Sequence, residues 1–241
     1  MTSLPGWYGK IPSLGDFASR RLPYDFIRAW DTWLQDCMAV SREMLRDKWL
    51  DLYLTSPMWR FALMPNVCGA DGWTGLFMPS VDKVGRHFPL TVAVALGPEP
   101  AHSTAFEAAQ SWYAQLEHVA LSALGLDAAP EDLERQLGAL PFPSEAIGEA
   151  LASTPVKDIA GWWRGPAGKP INFHVDPPSS LGAALAATAD HMFAEHSPGK
   201  ALWWCEDHAS RSLEVHCSNG LPAPEYFAVL LAGNARSVAH A

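Results

Sequence analysis

Apolar residues recur at helical spacing in a long segment near the start of the chain. The segment begins at Pro23, because the fixed φ of proline suits the first turn of a helix. Its apolar stripe comprises Phe26, Ile27, Trp30, Trp33, Leu34, Cys37 and Met38. The pattern continues in broken form to residues 53–54 and ends at Pro57, so we predict one long, interrupted helix.

A second apolar stripe at helical spacing follows residue 103. Thr104 and Glu107 have the spacing of a capping box, in which each side chain bonds a backbone N–H at the start of the helix, and Gly125 favours its end. The remaining predicted helices are residues 130–137, residues 144–151, a helix capped by Ser179 or Ser180 that reaches Phe193, and a last one opened by Pro224 with Phe227, Leu230 and Leu231 inward.

Three segments between the two long helices are predicted strands. Residues 58–64, 72–78 and 89–96 are apolar, and the last contains β-branched residues such as Val92. The connection between the first two segments is short and contains Gly69. We therefore predict that these two form an antiparallel hairpin.

Two tryptophan doublets indicate how many layers the fold has. Of the 11 tryptophans, Trp162-Trp163 and Trp203-Trp204 are adjacent pairs. Neighbouring residues of a strand point to opposite faces, so both members of a doublet are buried only when the sheet is covered on both sides. We predict strands near Trp162 and at residues 171–175, and a closing hairpin of residues 201–205 and 212–217.

The predicted elements follow the order strand, helix, strand meander, helices, strand hairpin, helix. Three successive strands without crossover helices argue against a parallel doubly wound sheet. We predict one α/β domain over residues 1–241. Its architecture should be a three-layer sandwich, with a central mixed or largely antiparallel sheet and helices on both faces.

Composition and charge narrow the classes of function. Apolar residues make up 49% of the chain and the formal net charge is -9, which is typical of a globular, soluble protein. A nucleic-acid or anionic-membrane partner would require a clustered basic face, and no run of five Lys or Arg residues occurs. The first residues do not resemble a secretory signal, and no apolar stretch is long enough to span a bilayer. We therefore expect a cytoplasmic protein.

Cysteine and histidine positions do not indicate a metal or redox site. None of the four cysteines forms a CxxC pair, and although Cys205 and Cys217 could approach on neighbouring strands, a disulfide is not expected in a reducing cytosol. His174 and Asp176 would share a strand face but form an isolated pair. His191 and His196 are poorly spaced for a shared helical face, and His208 should be solvated.

Two stretches carry a specific resemblance. The first reads GWYGKIPSLGDF from Gly6 to Phe17, and the second reads PSVDKVGRHFPL from Pro79 to Leu90. Together they match the pattern GWYGKxPxxGDF followed by PSVDxVGRxFPL. On these residues the chain resembles the TagF family of type VI secretion-associated proteins, most strongly over its first hundred residues.

This resemblance implies a sandwich related to profilin-like or longin-like folds and a cytoplasmic protein without a cofactor. It also implies a post-translational repressor of type VI secretion that opposes a phosphorylation-driven activating pathway. The implied partner is the forkhead-associated (FHA) scaffold protein of the secretion system, and neither nucleic acid nor membrane insertion is expected. The alternative is a structural accessory subunit of the secretion apparatus.

The motif residues suggest where a partner would bind. Arg86 follows Gly85 in a predicted tight turn and could pair with Asp82 or Asp16, which would lock the loop as an internal clamp. Alternatively, Arg86 forms a polar patch for a partner with Asp82 and Lys10, or captures an anion or phosphopeptide. The candidate partner-binding residues are Trp7, Lys10, Asp16, Asp82 and Arg86.

Trp7 and Tyr8 should alternate on a strand, so one of them could be an exposed aromatic anchor instead of a core residue. Catalytic motifs are missing from the sequence, which contains no GxSxG, GxxxxGK[ST], HExxH or GxGxxG. We therefore expect no enzymatic activity and assign no catalytic or metal-binding residues. A hydrolase with a site near Asp82 and Arg86 is the least favoured alternative.

Overall fold

A single antiparallel sheet organises the protein in a computed structural model, which describes residues 3–143, 154–164, 180–206 and 212–233. Across these residues seven strands pair in the order β2-β1-β5-β4-β3-β6-β7, and every pairing is antiparallel. The strands are β1 (Gly6–Gly9), β2 (Ala18–Arg20), β3 (Trp59–Leu63), β4 (Gly72–Met78), β5 (Leu90–Gly97), β6 (Lys200–Glu206) and β7 (Leu213–Asn219).

Helices cover both faces of this sheet. They are α1 (Tyr24–Leu45), α2 (Trp49–Thr55), α3 (Ser103–Ala108), α4 (Gln110–Ser122), α5 (Pro130–Gly138), α6 (Thr154–Arg164), α7 (Leu181–His196) and α8 (Phe227–Ala232). A 3-10 turn at Arg46–Lys48 joins α1 to α2, and another at Pro224–Tyr226 leads into α8. The predicted interrupted helix and the predicted final helix are therefore confirmed.

The two layers have separate apolar cores. On one face α1, α2 and α8 pack against strand residues that include Phe61, Phe77 and Trp203. On the other face α4 and α5 pack against strand residues that include Leu76 and Trp204. Both members of the Trp203-Trp204 doublet are buried on opposite faces, as predicted for a three-layer sandwich.

The predicted strands β3, β4 and β5 and the closing hairpin of β6 and β7 are confirmed, with ends that differ by no more than a residue or two. Cys205 lies opposite Glu214 and Cys217 lies opposite Leu202, so the two cysteines are not cross-strand neighbours. No helix among the described residues combines the length and the apolar character that a membrane crossing requires.

Two local predictions are wrong. The helix predicted from Thr104 is present and begins one residue earlier, at Ser103, but its N-cap is His102 and not Thr104. The capping acceptor comes from α7, where an Asp190 carboxylate oxygen accepts the Ser103 N–H at 2.6 Å. The same stripe is interrupted at Ala109, between α3 and α4.

The second wrong prediction concerns the strand near Trp162, which lies in helix α6. Val156, Ile159 and Ala160 are buried at helical spacing, so this segment packs one side instead of alternating between two faces. The helix predicted at residues 144–151, the strand at residues 171–175, and His208 lie outside the described residues.

Candidate functional site

The candidate site is the loop that connects β4 to β5. Its turn is closed by two backbone hydrogen bonds: the Asp82 N–H donates to the Arg86 carbonyl at 3.1 Å, and the Gly85 N–H donates to the Asp82 carbonyl at 3.0 Å. Gly85 has a φ of 85°, in the left-handed region that favours glycine. The motif thus folds into a tight turn that holds Asp82 inside and brings Arg86 to the surface.

The Asp82 carboxylate organises this turn. Its Oδ1 accepts the backbone N–H groups of Val84 at 3.0 Å and Arg86 at 2.9 Å. Its Oδ2 accepts the Arg86 Nε at 2.7 Å and lies 3.0 Å from the Lys10 Nζ. The side chain of Asp82 is 0% exposed, so a fully buried carboxylate is compensated by two cations and two backbone donors.

These donors decide the protonation state of Asp82. Burial alone would raise the pKa of the carboxyl group. The backbone N–H of Arg86, the Lys10 ammonium, the Arg86 guanidinium and the Val84 N–H together outweigh burial and hold this pKa well below its ordinary value. Asp82 is therefore ionised at neutral pH, and its donors leave it unsuited to accept a proton from a substrate.

Lys10 and Ser80 tie the loop to the rest of the fold. Lys10 follows the last residue of β1 and is buried, and its carbonyl accepts the Ser80 hydroxyl at 2.6 Å. The Tyr53 hydroxyl of α2 donates to the Ser80 carbonyl at 2.9 Å and accepts the Ser80 N–H at 3.0 Å. The loop is therefore anchored on one side by the sheet and on the other by α2.

His87 lies between the turn and α2. Its ring makes edge contacts with Trp49 and Tyr53, at centroid distances of 5.8 and 5.6 Å. Burial lowers the pKa of His87, and the positive charge of Arg42 lowers it further. The neutral imidazole is thus favoured, and it serves as an aromatic spacer between the loop and the helix.

The exposed part of the site is formed by two adjacent loops. The Lys83 N–H donates to the Leu14 carbonyl at 2.8 Å, and an Arg86 terminal nitrogen donates to the Gly15 carbonyl at 2.5 Å. The exposed residues of these loops other than glycine, which we call the loop face, are Asp16, Phe17, Lys83, Val84 and Arg86.

The loop face combines charge with an aromatic ring. The Arg86 side chain is 55% exposed, and one of its nitrogens lies 4.0 Å from the Asp16 carboxylate. The Phe17 ring packs edge-on against the Phe88 ring at a centroid distance of 4.8 Å. The Lys10 Nζ lies 4.8 Å from the centroid of the Phe17 ring, on the side that faces the protein. Contacts on the protein side therefore fix Arg86 and Phe17 in position, while their other sides are exposed to solvent.

The structure brings Lys10, Asp16, Asp82 and Arg86 together but separates Trp7 from them. Trp7 is fully buried on the opposite face of the sheet, and its indole N–H donates to Glu134 of α5. Lys10 and Asp82 are buried as well. Only Asp16 and Arg86 among the five candidates present enough surface for direct contact with a partner.

Sequence reasoning missed several residues that build the site. The sequence places Tyr53 only near the end of a helix and Phe17 only at the end of the first motif, and Phe17 is part of the exposed surface. Ser80 lies inside the PSVDxVGRxFPL pattern, which was its only signal. Among the described residues no group of three or more His, Cys, Asp or Glu side chains is arranged to hold a metal ion.

Comparisons with known proteins identify the family of this chain and agree with its fold. The family model described as the TagF N-terminal domain, type VI secretion system-associated, matches residues 6–140. The crystal structure of PA0076 from Pseudomonas aeruginosa PAO1 aligns with a TM-score of 0.71 and 34% sequence identity, covering 94% of this chain and 93% of that one. No curated protein matches the sequence significantly. The family match includes both loops that form the loop face.

Proposed function

Because the chain belongs to the TagF family of type VI secretion system-associated proteins, we propose that it is a non-catalytic, post-translational negative regulator of that system. It acts in the cytoplasm by binding the FHA-domain scaffold protein of the secretion system, and it requires no cofactor. By covering a surface of the scaffold, it withholds that protein from assembly of the apparatus.

The observation that supports this proposal is the set of hydrogen bonds and ion pairs that holds the loop face. The buried Asp82 carboxylate fixes both the backbone of the turn and the guanidinium of Arg86. A surface that is already ordered loses little conformational entropy on binding, so more of the contact energy becomes affinity. Arginine and aromatic residues are also the types enriched at binding hot spots, and the loop face supplies Arg86 and Phe17.

The state of Asp82 favours binding over hydrolysis. A general base must accept a proton, and a nucleophile must reach its substrate. Asp82 is ionised, has no exposed side-chain surface and is surrounded by four donors, so it does neither. The chemistry of this cluster is that of a structural clamp beneath a contact surface.

The proposal is tested with two variants of the loop face. Val84→Glu changes a residue that is 68% exposed and makes its hydrogen bond through its backbone, so the clamp should stay intact. Arg86→Ala removes the exposed guanidinium. We expect each variant to bind the purified FHA-domain protein at least about tenfold more weakly, which corresponds to about 1.4 kcal/mol, and to increase secretion in cells.

Matched controls separate loss of contact from loss of fold. Leu126→Glu introduces the same charge at an apolar residue that is 81% exposed after α4, and Arg28→Ala removes an exposed arginine from α1. Both controls should bind and repress like the wild type. If the folded Val84 and Arg86 variants also bind and repress normally, the loop face is not the interface. If the purified wild-type chain does not bind the FHA-domain protein at all, the proposed partner is wrong.

A further inference from the structure

Arg86 uses only part of its hydrogen-bonding capacity within the chain. A guanidinium group has five N–H donors. The Nε–H donates to Asp82 at 2.7 Å, and one Nη2 hydrogen donates to the Gly15 carbonyl at 2.5 Å. The other three N–H groups, including both on Nη1, have no acceptor within hydrogen-bonding distance in the described parts of the chain. Since the Arg86 side chain is 55% exposed, these donors are accessible to a ligand.

Asp16 does not occupy these free donors. Its carboxylate lies 4.0 Å from an Arg86 nitrogen, which is too far for a hydrogen bond, and its side chain is 83% exposed. Its Oδ1 instead accepts the backbone N–H of Phe17 at 2.8 Å. Water screens an exposed pair at this distance, so Asp16 weakens the electrostatic field of Arg86 without cancelling it.

The site as a whole carries one net positive charge. The loop face and the buried pair beneath it contain three cations, Lys10, Lys83 and Arg86, and two carboxylates, Asp16 and Asp82. The buried Asp82 carboxylate is shared by Lys10 and Arg86, so one negative charge compensates two cations. The formal net charge of the chain is -9. An anionic group of a partner is therefore attracted to this site, although the chain as a whole repels it.

The loop face also presents apolar surface. Val84 is 68% exposed in the same turn as Arg86, and Phe17 is 42% exposed beside Asp16. The Phe17 ring is fixed against the rings of Tyr8 and Phe88, at centroid distances of 6.0 and 4.8 Å. An aliphatic side chain of a bound segment can pack on these residues and exclude water from a neighbouring charged contact, which strengthens that contact.

We propose that the loop face binds an acidic, unphosphorylated segment of a protein partner. An aspartate or glutamate carboxylate of that segment accepts hydrogen bonds from the free N–H groups of Arg86, and a neighbouring apolar side chain packs on Phe17 and Val84. This inference rests on the proposed function, because it names the chemistry of the surface that the regulator covers.

The charge of the site favours a carboxylate over a phosphate. A phosphorylated side chain carries about 1.5 to 2 negative charges at neutral pH, and a cluster of arginines normally binds it. Here the exposed cations are Lys83 and Arg86, and the Asp16 carboxylate lies 4.0 Å from Arg86. Asp16 would repel a dianion more strongly than a carboxylate, and the single net charge of the site matches one carboxylate.

The first test uses synthetic peptides as probes and requires no particular partner. Three capped peptides carry a glutamate, a glutamine or a phosphoserine between two leucines. We expect the glutamate peptide to shift the backbone NMR signals of the loop face with millimolar affinity, and the glutamine peptide to bind about tenfold more weakly. The phosphoserine peptide should bind no more tightly than the glutamate peptide. In Arg86→Gln, the difference between the glutamate and glutamine peptides should disappear.

Three outcomes of the peptide series would overturn the proposal. If the glutamine peptide binds as tightly as the glutamate peptide, charge does not determine binding at this site. If the phosphoserine peptide binds more tightly, the site recognises phosphate. If the glutamate peptide leaves the loop-face signals unchanged, the site takes no acidic segment.

The sign of the effect at Asp16 provides a second test. Asp16→Asn removes an exposed negative charge, while asparagine can still accept the Phe17 N–H. We expect this variant to bind the glutamate peptide about two- to fivefold more tightly, because a repulsion is removed, and Lys83→Ala to bind it more weakly. Unchanged or weaker binding by Asp16→Asn would contradict the proposal, since Asp16 would then not repel the ligand.

Asp25→Asn is the matched control for Asp16→Asn. The Asp25 side chain is 82% exposed and lies 4.0 Å from Arg28 on α1, so it reproduces the exposure and the pairing distance of Asp16 outside the loop face. The control should bind the glutamate peptide like the wild type. If both variants gain affinity equally, the effect comes from the net charge of the chain and the proposed contact is wrong.

The same variants separate this proposal from the proposed function. If the glutamate peptide binds as expected but the wild type does not bind the FHA-domain protein, the proposed partner is wrong and the acidic-segment proposal stands. If the FHA-domain protein binds through the loop face but binds Asp16→Asn no more tightly than the wild type, the partner is right and the acidic-segment proposal fails.

Discussion

At the scale of single residues, Asp82 links the protonation of one carboxyl group to the order of the loop face. Its carboxylate is the common acceptor for the Lys10 ammonium, the Arg86 guanidinium and two backbone N–H groups. Removing the charge would leave Lys10 buried without its partner. Breaking a buried ion pair in this way is much more costly than breaking an exposed one.

We predict that Asp82→Asn lowers the free energy of unfolding at pH 7 by roughly 3 to 5 kcal/mol. Because the pKa of Asp82 is lowered in the folded protein, its contribution to stability is complete above the unfolded-state pKa of about 4. That contribution is lost as the pH falls below this value. The difference between wild type and variant should therefore shrink in acid, which urea unfolding at a series of pH values would measure.

The same urea unfolding series could contradict this prediction. If wild type and Asp82→Asn differ in stability by the same amount at neutral and acidic pH, the ionised state of Asp82 does not stabilise the fold. Arg28→Ala is a suitable control, because the Arg28 side chain is exposed and its contact with Asp25 is as long as 4.0 Å. Its stability should change little at either pH.

At the scale of elements, the centre of the sheet depends on close backbone approach. Gly75 lies in β4 between Phe61 of β3 and Ala93 of β5. A Cβ at this position would lie 2.0 Å from the Val92 carbonyl oxygen and 2.8 Å from the Ala93 Cα. Since both contacts involve backbone atoms of a central strand, they cannot be relieved by a change of rotamer.

We predict that Gly75→Ala lowers the free energy of unfolding by about 3 kcal/mol or more, because β4 and β5 must separate to accept the methyl group. Gly161→Ala is the matched control. Gly161 lies within α6, and a Cβ there would meet nothing within 4 Å. Alanine should stabilise that helix by about 0.5 to 1 kcal/mol. Thermal unfolding of both variants distinguishes a steric requirement from a general effect of losing glycine.

The elements that the sequence predicted best have one strong periodic signal. The α1 stripe and strand β4 carry enough apolar residues to specify both type and position. Strand β2 was not predicted, since three residues cannot show alternation. The α6 segment was wrongly predicted because the Trp162-Trp163 doublet was weighed above the helical spacing of its apolar residues.

Of the candidate site, the sequence predicts only the contacts between residues that are close in the chain. Asp82 and Arg86 are four residues apart in a turn, so their pairing could be inferred from spacing. The anchoring of Ser80 by Tyr53 joins residues 27 positions apart and depends on how α2 packs on the sheet. The burial of Lys10 likewise depends on the packing around the end of β1, so local sequence patterns do not predict it.

At the scale of the whole molecule, one sheet separates two apolar cores that do not mix. Adjacent residues of the same strand serve different layers, as Trp203 and Trp204 do in β6. Each core is therefore completed by one face of the sheet, and both faces of the sheet are buried only when both cores form. This mutual dependence is the physical basis for expecting a single domain.

The prediction of a single domain is tested by a matched pair of core substitutions. Leu34 of α1 and Leu116 of α4 are both fully buried, one in each layer. Leu34→Ala and Leu116→Ala should each lower the free energy of unfolding by roughly 2 to 5 kcal/mol. If the layers unfold as one unit, hydrogen exchange of the most protected amides should accelerate in α1 and α4 alike in either variant. If Leu34→Ala accelerates exchange in α1 while α4 keeps its protection, the two layers are separate folding units, because opening of one core would then leave the other intact.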